Sequence, residues 1–164
     1  MKKTILIVAA MSQSACMGGG GDDVEVSLGS DFGTLLNNTR TASDLNLDSR
    51  LTSAAQTHAT DMFDRDYDSI LVMGETVIDP ADGNERDKDI GDLVTEAGYS
   101  WMTIKELIAK GELTNSEALA VWNGETCSGG VRCYDDAAYE DFGIAKAGSG
   151  SDQRWVLILA TENP

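Results

Sequence analysis

The stretch AVWNGETCSGGVRC, residues 120–133, places Glu125 three residues after Trp122 and two before Cys127, with Cys133 closing the segment. Carboxylates and thiolates are both metal ligands. Two cysteines alone do not complete a tetrahedral zinc site, however, and the single histidine, His58, is far away in sequence. In an oxidising compartment the same two thiols close as a local disulfide, Cys127 with Cys133, and this is the plainer expectation. So short a loop stabilises by roughly 2 kcal/mol on the chain-entropy estimate. Hydrolysis would need an activated nucleophile or a metal-bound water. No serine lies in an elbow motif, which leaves Glu106 and Glu125 as an acid/base pair of the glycosidase type.

The oxidising compartment is implied by the N-terminus. MKKTILIVAAMSQSAC has two lysines, an apolar run from Ile5 to Met11, then small residues before Cys16. That is the layout of an export signal, and the run is too short to span a bilayer. A cysteine at the cleavage point resembles a bacterial lipoprotein signal, with Cys16 diacylated and the protein held to the membrane through it. Gln13 stands where such signals usually have leucine, and ordinary secretion with cleavage near Ala15 is the alternative. Residues 1–15 are therefore read as the signal and 16–30, beginning CMGGGGDD, as a flexible tether. Residues 31–164 are read as one domain. Met17 after the cysteine resembles lipoproteins sent to the outer membrane, facing periplasm or surface; a soluble secreted or periplasmic protein is the other reading. With Cys16 lipidated, Cys127 and Cys133 remain as an even pair.

A formal net charge of −16 with no basic stripe repels phosphate backbones and anionic headgroups, which excludes nucleic acid as a partner class. The domain is long enough for one sizeable core.

The elements that must position these residues follow from periodicity. SDFGTLLNNTR puts Phe32, Leu35 and Leu36 on one helical face, capped by Ser30 or Asp31. In LDSRLTSAAQTHATDM, Leu47, Leu51, Ala54, Ala55, His58 and Met62 recur at spacings of three and four, with Asp48 as the cap. His58 on that apolar stripe reads as a core histidine with one hydrogen-bonded nitrogen. Residues 64–92 read as an acidic loop, and DPADGNERDKD does not match a regular calcium loop. A helix through IGDLVTEAGY stops at Gly98, TIKELIAKG is a short element carrying Glu106, and TNSEALAVWNGE is a helix. Its cap is Thr114 or Asn115, with Glu117 in the first turn, and Ala118, Val121 and Trp122 form its inner face. DFGIAKAG and RWVLILATE are β-like runs joined by GSGSDQ as a hairpin. Helices first and a hairpin last imply an α+β domain with helices covering an antiparallel sheet.

The order LLNNTR, LNLDSRLTSAAQTHATDM, AGY, KELIAKG, EALAVWNGE, FGIAKAG and RWVLILATE resembles the CAP superfamily, whose module is also called the SCP domain. The resemblance covers about residues 31–162 and is similar to short bacterial members. It implies a three-layer α-β-α sandwich. It also implies a cleft with two histidines and two glutamates that binds a divalent metal. Glu106 in KELIAKG matches the first glutamate and Glu125, after Trp122, matches the second. The first histidine position falls in YDS, where Asp68 stands, and the second falls in CSGG, so both histidines are missing. Without imidazole a zinc-type site is not expected; Asp68, Glu106 and Glu125 remain as a weak oxygen-only calcium or magnesium set. The expected function is that of a monomeric envelope module binding a partner protein, a glycan or a small apolar ligand. The alternative is a hydrolase working through Glu106 and Glu125, with or without a weakly held metal.

Overall fold

The computed structural model describes residues 22–68, 77–78, 85–86 and 89–164, with side chains described for 28–68 and 89–164. In chain order the elements are helix α1 (Asp22–Thr39), strand β1 (Asn46–Leu47), helix α2 (Ser49–Asp64), strands β2 (Val77–Ile78) and β3 (Glu85–Arg86), helix α3 (Ile90–Glu96), strand β4 (Trp101–Lys110), helix α4 (Asn115–Trp122), and strands β5 (Asp141–Ala147) and β6 (Arg154–Glu162). None of the described helices is long and apolar enough to cross a membrane. The segment read as an export signal, Cys16 and most of DPADGNERDKD lie outside the described residues.

The main sheet has the order β1-β5-β6-β4. β6 is antiparallel to both β5 and β4, as the sequence led one to expect, while β1 pairs parallel to β5 over two residues. The sheet is therefore mixed. β1 reaches β5 by a long excursion through the rest of the chain and not by a hairpin, so nothing forces it antiparallel. β2 and β3 form a two-residue ladder inside the stretch read as loop.

RWVLILATE is apolar at nearly every position because its strand is buried on both faces. Trp155, Leu157 and Leu159 point into one core, with Phe32, Leu36, Leu107, Trp122 and Phe142. Val156, Ile158 and Ala160 point into the other, with Leu51, Ala55, Met62, Val94 and Tyr99. α1 and α4 supply the first core and α2 and α3 the second, which makes three layers.

α1 begins at Asp22, so the segment assigned to a tether is helical from there on and the cap at Ser30 or Asp31 does not form. Burial explains the longer helix. Leu28 packs against the first core, and Gly29 lets the helix approach β1 so closely that a Cβ there would lie 2.8 Å from Leu47 Cδ2. Thr114 caps α4 through a capping box with Glu117, as expected. Its inner face is Ala118, Leu119 and Trp122; Val121 is 53% exposed, one residue off the stripe.

Two carboxylates fasten the helices. Asp48 caps α2 by accepting from the Arg50 and Leu51 amides. Asp135 accepts from the Thr41 and Ala42 amides just past α1. Burial alone would push both carboxyls up. For Asp48 the Arg50 side chain and the two amides outweigh it, and for Asp135 the two amides, the Thr41 hydroxyl and Arg132 do, so both are held below the ordinary range. A depressed folded-state value means that the stabilisation is complete above the unfolded carboxylate range near pH 4 and is lost as pH falls through the depressed values. Asp48→Ala is expected to cost about 1 kcal/mol at neutral pH. It should also flatten the loss of stability on acidification, read from urea midpoints at pH 7 and pH 3.

Candidate functional site

β4 pairs with β6 in the register Glu106↔Ile158 and Leu107↔Leu157. Side chains alternate across a strand, so Glu106 shares the face of Ile158, toward α2, while Leu107 faces α4. On α2, His58 lies on the buried stripe with Leu51, Ala55 and Met62. The two meet: His58 Nδ1 is 2.5 Å from Glu106 Oε1, with the side chains 0% and 2% exposed. His58 Nε2 is buried without a hydrogen-bond partner among the described residues, and the Tyr67 ring lies 6.0 Å from the imidazole. The expected core histidine with one bonded nitrogen is what the fold contains. Its partner escaped the sequence reading, although the alternation Ile104, Glu106, Ile108 would have placed Glu106 on the α2 side.

Glu125 lies elsewhere. α4 packs on the opposite face of the sheet, against Leu107 and Ala109, and Trp122 at its end donates its indole N–H to the Ile108 carbonyl at 2.8 Å. The Glu125 side chain that follows is exposed. Its backbone carbonyl accepts from the Cys133 amide, and Thr126 bridges Arg132, which closes a narrow hairpin around Ser128–Gly130. Gly129 and Gly130 take left-handed φ values of 75° and 77° there. Cys127 and Cys133 form the expected disulfide, with Cα atoms 4.8 Å apart and Cys133 fully buried. Arg132 donates to Asn123 Oδ1 and the Tyr134 hydroxyl, both at 2.9 Å, and so pins the hairpin to the end of α4. Reducing the disulfide is expected to cost about 2 kcal/mol. Urea unfolding with and without dithiothreitol measures it; equal midpoints would contradict the estimate.

No model of a known family matches the chain, and no curated protein sequence does. Solved structures do. An extracellular protein containing an SCP domain from Bacillus anthracis aligns with TM-score 0.63 at 18% identity, over 86% of this chain and 42% of that one. An outer surface protein from Borrelia burgdorferi aligns with TM-score 0.59 at 12% identity, over 87% of this chain and 94% of that one. A cysteine-rich secretory protein from Staphylococcus aureus aligns with TM-score 0.50 at 8% identity, over 87% of this chain and 40% of that one. The chain has the CAP fold.

On this CAP fold the positions matched to the glutamates are not neighbours. Glu106 is buried against α2, and Glu125 is exposed beyond α4 on the other side of the sheet. The two carboxyls are held by different layers, and the described contacts do not bring them together as a pair flanking one glycosidic bond would require. Asp68 is exposed, and among the described residues no three His, Cys, Asp or Glu side chains are grouped to hold an ion. Among the described residues, then, the donors are not gathered into the divalent-metal site that the resemblance implies. Within the described residues, Asp68, Glu106 and Glu125 are likewise not grouped around one point. A shallow open depression at the start of β4 is lined by Thr95, Gly98, Tyr99, Ser100 and Trp101 and contains none of these residues.

Proposed function

We propose that the protein is an exported CAP-fold module of the bacterial cell envelope, attached through a lipidated Cys16. In this reading it binds a partner without catalysis and has lost the divalent-metal tetrad. The observation that carries this is the separation of Glu106, sequestered by His58, from the exposed Glu125 across the sheet. The Glu106 carboxyl is 2% exposed and engaged by His58, which supports a role inside the fold over one at the surface. The export signal, the disulfide and the similarity to an extracellular and an outer surface protein support a location outside the cytoplasm. The partner class is an envelope protein, a glycan or a small apolar ligand, and the module acts as a monomer.

Calorimetric titration of the chain with zinc tests the loss of the metal site. No binding at micromolar concentration is expected, and micromolar binding abolished by Glu106→Ala would overturn it. Pull-down from envelope extracts, run beside a lipid-binding screen, tests the binding role. Processing that is blocked by globomycin supports the anchor at Cys16, and processing insensitive to it places cleavage near Ala15.

A further inference from the structure

We infer that His58 and Glu106 are an internal clamp, in which an imidazole of the protein's own occupies the carboxyl that a cation or substrate would need. The inference goes beyond the proposed binding role and holds whatever the partner is. α2 packs along β5 and β6, and His58 reaches from it to β4, the next strand over and the edge of the sheet. The contact is dry: 0% and 2% exposure, a 2.5 Å approach, and the Tyr67 ring alongside. Nε2 has no partner, so the ring's hydrogen bonding among the described residues is wholly directed at Glu106. A polar pair taken out of water holds only while both members are present. Removing Glu106 leaves the imidazole buried without its described partner, and removing His58 takes a close polar contact from a buried carboxyl, whereas replacing both by apolar groups is far milder. The pair therefore ties the edge strand to the helix layer. It also closes Glu106 to chemistry from outside.

His58 is the single histidine, so in a tag-free chain every imidazole signal belongs to it. Nuclear magnetic resonance of the ¹⁵N-labelled chain should show an Nδ1 proton well downfield of ordinary imidazole protons. The signal should disappear in Glu106→Gln and be unmoved by zinc. Equilibrium unfolding should show His58→Leu and Glu106→Leu each lowering the folding constant about a hundredfold or more, with the double variant losing much less than the product of the two. Single effects that multiply would overturn the clamp, as would a His58 signal that zinc shifts in the parent but not in Glu106→Gln. If the single variants do not fold, the parent spectrum decides: ring nitrogens with the shifts of an imidazole in water overturn the inference.

Discussion

Trp122→Ala is expected to lower folding stability by about 4 kcal/mol, the upper part of the range for emptying a large aromatic site. The side chain is 1% exposed, meets the edge of the Phe32 ring at 5.8 Å, and sits in the core formed by α1, α4 and the sheet. It also covers a backbone group. β4 is an edge strand, and the Ile108 carbonyl accepts the indole N–H. Alanine would leave both a cavity and an uncovered carbonyl. Trp122→Phe, which keeps most of the ring but not the donor, should cost about 1–2 kcal/mol, near the net value of a hydrogen bond with some lost volume. Urea unfolding followed by circular dichroism measures both; a loss below about 1 kcal/mol for alanine would show that Trp122 is not the anchor of α4. The disulfide hairpin carrying Glu125 hangs from that same helix end, so its amides should lose protection from exchange in the alanine variant.

Gly143→Ala should be about as damaging, through excess atoms instead of missing ones. A Cβ at residue 143 would stand 2.2 Å from the Leu51 carbonyl carbon and 2.3 Å from the Thr52 nitrogen. These are backbone atoms of α2 and do not turn aside as a side chain does. The helix would have to lift off β5, and overpacking of this kind costs about 3 kcal/mol or more. Lifting α2 also draws His58 away from Glu106, so the imidazole resonances should shift with the fall in melting temperature. Gly124 supplies the control: nothing lies within 4 Å of a Cβ built there, and Gly124→Ala is expected to be neutral. A thermal scan in which the two variants melt together would refute the close approach of α2 to β5.

Much of the architecture was legible because local physics and tertiary packing agree. The three-and-four spacing of Leu51, Ala54, Ala55, His58 and Met62 reports a helix with one buried side, and Asp48 and Thr114 mark helix starts that form. The near-continuous apolar run of β6 reports a strand covered on both faces. The disulfide followed from compartment and spacing. What escaped was information that single segments do not hold. The early start of α1 depends on Leu28 and Gly29 meeting partners from other elements, and Val121 lies one residue outside the buried stripe of a short helix. The parallel pairing of β1 with β5 joins residues more than ninety positions apart, as in Asn46 with Asp141. For the site, identity and order were visible but the side of the sheet was not. Register with Ile158 turns Glu106 toward α2, while Glu125 follows α4 in the other layer, and neither placement is visible in a segment read alone.

Because β6 lends alternate side chains to both cores, the two helical layers share one wall. Neither layer can come away and leave the other intact, since losing the strand empties both. The described domain should therefore behave as one cooperative unit, without a half-folded species, and the β6 amides should exchange only through global opening. In the exported location proposed above this has a practical meaning. Proteases there act on partly opened chains, and a domain with no cheap partial opening offers them little but its surface loops.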